Sequence, residues 1–177
     1  MRKDTVLKRI KQVAYLEGDF TTRAGHKTTY YIDKYLFETL PDILEPLAQE
    51  LALLFPPSDT YDRIAAPELG AVALGTLLSV ILKKPFVIVK KQPKDYGTQR
   101  LIEGKFFPSE RVMVVEDILT TGGAVLRACD ILTQNQLSIV GIVGVLNREE
   151  GAMENIAQKN IPVTALFSKT DLLASSL

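Results

Sequence analysis

Five short apolar stretches punctuate this chain, separated by segments of helical periodicity or by polar loops. Arg63 to Ala66, Phe86 to Val89, Val112 to Val115, Ser138 to Leu146 and Val163 to Phe167 carry near-continuous apolar runs rather than an apolar–polar alternation. Runs of this kind read as strands buried on both faces. Helices are predicted between them, over Leu69 to Leu82, Gly123 to Gln134 and Gly151 to Lys159. The first is apolar nearly all round and is expected to be buried. The second sets Val125, Ala128, Cys129 and Leu132 on one face. Strands alternating with helices predict an α/β fold: a central, mostly parallel sheet flanked by helices. Ligands in such folds bind at the carboxyl ends of strands. Three segments stand there: Pro67 to Gly70, the polar stretch from Lys90 to Pro108, and Glu116 to Ala124.

The N-terminal third follows other periods. Val6, Ile10, Val13 and Ala14 sit at helical spacing, which predicts an amphipathic helix over residues 4–17, stopped by Gly18 and Asp19. Thr29 to Lys34 is aromatic and β-branched and reads as a strand or extended arm. Leu40, Ile43, Leu44, Leu47, Ala48 and Leu51 predict a further helix, with Thr39 as N-cap and Pro41 in its first turn. No internal repeat, linker or low-complexity stretch divides the chain, so one domain over 1–177 is expected.

Composition excludes several functions. Lys plus Arg total 21 and Asp plus Glu total 21. A chain so balanced lacks the net basic field that nucleic-acid or anionic-membrane binding needs. Its single Cys, Cys129, forms no intrachain disulfide, and its single His, His26, excludes a His/Cys zinc site within one chain. Any metal would be a hard cation held by oxygens. The longest apolar run, Gly70 to Leu82, falls short of the ~20 residues of a membrane helix, and no apolar signal-like stretch follows the basic N-terminus. A cytoplasmic protein is expected.

The stretch from Val112 to Ala124, Val-Met-Val-Val-Glu-Asp-Ile-Leu-Thr-Thr-Gly-Gly-Ala, carries the most chemistry. A buried strand delivers Glu116 and Asp117 together at its end, and a hydroxyl- and glycine-rich loop then turns into a helix. Gly122 and Gly123 let the backbone approach an anion, and the N–H groups of Thr120 to Ala124 can converge on a phosphate at the helix start. The two carboxylates would repel a phosphate lying on them but suit hydroxyls a few ångströms away. A ribose phosphate fits both halves. The plainer alternative is that the two acids merely open a helix and the glycines make a turn. A P-loop is ruled out, because no Gly-Lys-Thr/Ser follows.

This stretch resembles the 5-phosphoribosyl 1-pyrophosphate (PRPP) motif of type I phosphoribosyltransferases, with Ala124 where a Ser or Thr is common. Val89 to Thr98 followed by Leu101 to Gly104 resembles the flexible catalytic loop of the orotate phosphoribosyltransferase family. Gly18 to Thr21 with Gly25 to Lys34, Ala66 to Ala71, and Leu146 to Gly151 resemble that family's substrate segment, pyrophosphate loop and base-recognition segment. The resemblance runs from about residue 4 to 167. It implies a small N-terminal hood over residues 1–38 and a PRPP-binding core over 39–170. It implies PRPP contacts from Arg23, Glu68, Leu69, Lys90, Lys91, Lys94, Tyr96, Glu116, Asp117, Ile118, Leu119, Thr120, Thr121, Gly122, Gly123 and Ala124. Orotate contacts are implied for Tyr31, Ile32, Thr120 and Arg148, and catalytic roles for Lys94, Glu116 and Asp117. Tyr96 stands where the family usually has His, and Lys90 where Arg is common. Mg²⁺ is implied, held mainly by PRPP oxygens with no dedicated protein ligands, and so is a homodimer whose catalytic loop reaches the neighbouring site.

The expected activity is transfer of phosphoribose from PRPP to orotate. Two alternatives keep the fold: transfer to a purine base, and a non-catalytic PRPP-sensing regulator. The loop from Lys90 to Gly104 and Arg148 resemble the orotate branch rather than a purine one. Residues 83–105 carry seven Lys and Arg against two acids, a basic segment suited to a small polyanion.

Overall fold

The computed structural model describes residues 3–21, 25, 27–92 and 100–175. Helix α1 (Lys3–Ala14) leads into the hairpin β1 (Tyr15–Thr21) and β2 (Lys27–Ile32), then into α2 (Lys34–Glu38) and α3 (Pro41–Ala52). Alternation follows: β3 (Arg63–Pro67), α4 (Ala71–Leu82), β4 (Phe86–Val89), β5 (Ile102–Glu103), β6 (Arg111–Leu119), α5 (Gly123–Gln134), β7 (Ser138–Asn147), α6 (Ala152–Ala157), β8 (Val163–Ser168) and α7 (Lys169–Ala174). The last six strands form one sheet in the order β5-β4-β3-β6-β7-β8, parallel except for the antiparallel β5 edge.

Strand pleating explains why the apolar runs are continuous. Val112 and Val114 of β6 face α5 and α6, packing with Val125, Ala128, Cys129, Leu132 and Ile156. Met113 and Val115 face the other way, into a core built with α1, α3 and α4. Successive side chains point to opposite faces, so a strand covered on both must be apolar throughout. The α5 face is the one its spacing predicts. Cys129 is 3% exposed, and burial pushes its thiol up to about 12.

Several boundaries differ from the sequence expectations. The first helix ends at Ala14, and Gly18 and Asp19 lie inside β1. Cross-strand pairing wins there: Tyr15 stacks on Tyr30 with centroids 5.4 Å apart, Phe20 meets Tyr31 at 5.6 Å, and a register shift between Glu17 and Phe20 absorbs the irregularity. Thr39 does not cap α3. It closes α2, its hydroxyl donating to the Tyr35 carbonyl at 2.6 Å, and Leu40 takes the N-cap position without a side-chain bond. The predicted loop after Lys90 contains β5. Helix α4 starts two residues late and buries only Ala71, Leu74, Gly75 and Leu78, leaving Val80 and Ile81 exposed. An all-apolar helix does not reveal which face the sheet will cover. Helix α7, with a capping box between Ser168 and Asp171, was not anticipated.

Candidate active site

A cleft of about 660 Å³ opens where β3, β4 and β6 end and β2 meets α2. Strand β6 builds its floor. The strand continues past Val115 to Leu119, carrying Glu116 and Asp117 inside the ladder at 8% and 3% exposure. Asp117 accepts the Ile118 N–H at 2.5 Å and the ammonium of Lys34, which α2 brings from 83 residues away. Gly70 makes room for this pair: a Cβ there would lie 1.5 Å from Asp117 Oδ2 and 2.6 Å from Lys34 Nζ.

Beyond the strand, Thr120 and Thr121 bend toward α5. Gly122 sits at φ 82°, a left-handed conformation that side-chain-bearing residues rarely adopt. Asn155 of α6 donates to the Thr121 carbonyl at 2.9 Å and ties the loop down. The first-turn N–H groups of a helix have no intrahelical acceptor and favour an anion. Thr120, Ala124 and Arg127 line the cleft at this end.

The walls come from three turns. After β3, Glu68 lines the cleft and its carboxylate accepts the Lys91 N–H at 2.7 Å, joining the Pro67–Gly70 turn to the end of β4. The Glu68–Leu69 peptide is cis. Leu69 itself is 65% exposed. After β7, the Arg148 N–H donates to the Leu119 carbonyl at 2.8 Å. Its guanidinium meets Glu150 at 3.0 Å, while its buried Nε has no partner among the described residues. Tyr31, half exposed, and buried Ile32 close the cleft from β2.

Electrostatics concentrate on the acid pair. Burial, reinforced by Asp117, holds the Glu116 carboxyl well above the usual carboxylate range. Burial, again with Asp117, pushes Glu38 up to about 8. Burial works against the Lys34 ammonium, but Asp117 more than offsets it, and the group sits above the ordinary lysine value.

The cleft therefore gathers Tyr31, Ile32, Glu68, Lys90, Lys91, Glu116, Asp117, Ile118, Thr120, Ala124 and Arg148 of the residues singled out from sequence. Lys90 is 6% exposed, and its ammonium is held by Glu103 of β5 at 2.8 Å. The Leu119 side chain lies in the core; a Cβ on Gly144 would come within 2.6 Å of its Cδ1. Thr121, Gly122 and Gly123 shape the loop rather than lining the cleft. Arg23, His26, Lys94 and Tyr96 lie outside the described residues. Lys34 and Arg127 line the cleft without having been anticipated. Arg127 carries a sequence signal, being one turn into the helix that the Gly122 loop opens. Lys34 carries none beyond adjacency to the Tyr31-Ile32 segment.

Comparison with known proteins agrees on one family. Residues 47–164 match the phosphoribosyl transferase domain. The orotate phosphoribosyltransferase of Methanocella arvoryzae is 41% identical over 156 residues, covering 88% of each chain. That of Methanocaldococcus jannaschii is 36% identical over 172 residues, covering 97% of each. Among solved structures, orotate phosphoribosyltransferase from Aeropyrum pernix superposes with a TM-score of 0.83 at 25% identity, covering 97% of this chain and 96% of the other.

Proposed function

The chain belongs to the orotate phosphoribosyltransferase family, and from that premise we propose that it transfers the 5-phosphoribosyl group of PRPP to orotate. The products are orotidine 5′-monophosphate and pyrophosphate, a step of pyrimidine nucleotide synthesis. The observation that carries this reading is the buried acid pair, Glu116 and Asp117, facing the Gly122 loop and the start of α5 across one cleft.

The ribose hydroxyls donate to Glu116 and Asp117, and the 5′-phosphate accepts from the N–H groups of residues 120–124. Ile118 and Leu119 lead the chain from one subsite to the other. We assign pyrophosphate to the Glu68–Gly70 turn and Lys91, with Lys94, Arg23 and Tyr96 as the further contacts that the family resemblance implies. Lys90 joins them only after leaving Glu103. Orotate stacks near Tyr31 and Ile32, its polar edge facing Thr120 and Arg148, whose fork suits a carboxylate or carbonyl pair.

In the reaction the bond from C1 of the ribose to pyrophosphate breaks, a bond from C1 to an orotate ring nitrogen forms, and the proton that nitrogen carried is released to the departing pyrophosphate or to solvent. The sugar passes through an oxocarbenium-like state, as in glycoside cleavage. Negative charge grows on the leaving pyrophosphate. Lysines aimed there stabilise the transition state more than the ground state, and Lys94 is the group we assign to that task. Among the described residues no three His, Cys, Asp or Glu side chains converge as a metal cage would require. Oxygens of PRPP fit Mg²⁺ better than this donor set does, since Lys34 already occupies Asp117. When bound, Mg²⁺ neutralises charge on the pyrophosphate.

The reading also includes a hood over residues 1–38 on a core of 39–170, a cytoplasmic location, and a homodimer in which the loop bearing Lys94 and Tyr96 serves the neighbouring cleft. Among the described residues no helix is long and apolar enough to cross a membrane. Exposed Val80 and Ile81, adjacent on α4 and outside the cleft lining, support a second copy as the partner.

The test is pyrophosphate release from PRPP in the presence of Mg²⁺ and orotate. Orotate-dependent release is expected. Tight PRPP binding without turnover would point instead to a regulator.

A further inference from the structure

We propose that Lys34 and Glu38 form a positioning pair on α2 that governs how Asp117 is presented to the ribose hydroxyls of PRPP. This rests on the reading of the cleft as a PRPP site.

The two side chains stand one turn apart on the same helix face, the spacing at which side chains meet. Asp33 caps the start of that helix, accepting the Tyr35 N–H at 3.1 Å, which fixes the direction in which the pair projects. Lys34 donates to Asp117 Oδ2. Glu38 is 4% exposed, and its Oε1 has no hydrogen-bond partner among the described residues. A buried carboxyl oxygen without a partner is costly, and the reaction as described does not use it.

Charge explains what it can do. The groups acting on Glu38 are Asp117 of β6, Lys34 of its own helix and Asp33 of the cap. Glu116, beside Asp117, acts on the same lysine. One ammonium thus serves several acids. Burial and Asp117 keep the Glu38 carboxyl protonated up to about pH 8. While it holds its proton, Lys34 remains on Asp117 and the carboxylate is held against Gly70, facing the cleft. Once Glu38 ionises, it competes for Lys34 from the same helix face. Asp117 then loses its partner, and the cleft gains a negative charge that opposes the phosphates of PRPP. Both consequences weaken PRPP binding at alkaline pH.

The experiment measures PRPP binding by calorimetry with Mg²⁺, and KM and kcat with orotate, from pH 6.5 to 9.5. Wild type, Glu38→Gln, Lys34→Arg and Lys34→Met are compared, each checked for folding by thermal melt. In the wild type, KM for PRPP is expected to rise about tenfold across the alkaline limb while kcat changes little. Glu38→Gln is expected to flatten that limb. Lys34→Met is expected to bind PRPP weakly at every pH, and Lys34→Arg to restore binding. An unchanged alkaline limb in Glu38→Gln, or wild-type PRPP affinity in Lys34→Met, would overturn the proposal. Absence of PRPP binding by the wild type would instead overturn the functional reading beneath it.

Discussion

Lys34 and Asp117, 83 residues apart in the chain, meet directly over the backbone of Gly70. Three elements converge on that point: the start of α2, the end of β6 and the turn after β3. The site thus depends on an absent side chain as much as on the charged ones.

Gly70→Ala is expected to damage the site with little effect on the fold. The new Cβ would fall 1.5 Å from Asp117 Oδ2, so the carboxylate must rotate away and release Lys34. Gly70 has φ −61°, which alanine adopts freely, so the backbone itself accepts the substitution. Thermal melting should therefore shift little, while kcat/KM for PRPP falls on the order of 10²-fold, the scale of misplacing a substrate-positioning group by about 1 Å. A large loss of stability with normal kinetics would contradict the assignment.

Asp117→Asn tests the carboxylate itself. The amide keeps the shape but loses the charge that pairs with Lys34 and accepts from ribose hydroxyls. KM for PRPP should rise on the order of tenfold or more, as expected for loss of a charged hydrogen bond. Circular dichroism and melting should stay near wild type. A chain that unfolds instead would mean that the acids chiefly support the fold.

Glu38 makes stability depend on pH in a definite direction. Its folded value is about 8 against an ordinary 4.5. Between those values the folded protein keeps a proton that the unfolded chain has released. The contribution is therefore complete below about pH 4.5 and is lost as pH rises through 8. Relative to Glu38→Gln, the wild type should lose on the order of 1 kcal/mol per pH unit between pH 5 and 8. Denaturant titrations of both proteins across that range measure the difference, and parallel curves would contradict it.

Lys94→Ala addresses the leaving group. Loss of one transition-state donor costs on the order of 10²-fold or more in kcat. Rapid-quench turnover should register that loss with only a modest change in PRPP affinity. An unchanged kcat would remove Lys94 from the mechanism.

What could be read in the sequence follows from how local its causes are. The apolar face of α5 and the paired acids before Gly122 are written in consecutive residues, and the structure places them as their spacing implies. Features that depend on distant partners were not legible. The extension of β6 through Glu116 and Asp117 looks like a strand end until β7 pairs with it. The first helix yields to a hairpin because Tyr15 finds Tyr30 across the strand. Lys34 reads as the end of an extended arm, but β2 stops at Ile32 and Asp33 caps α2, which sets Lys34 one turn from Glu38; nothing local marks that pair until the fold brings Asp117 to them. The capping box of Ser168 and Asp171 is a local signal that would have announced α7.

Base choice tests the central claim most directly. PRPP and Mg²⁺ are incubated with the protein and an equimolar mixture of orotate, adenine and hypoxanthine, and the nucleotide formed is identified by mass. Orotidine 5′-monophosphate should dominate, with pyrophosphate released in equal amount. Formation of a purine nucleotide in its place would contradict the account.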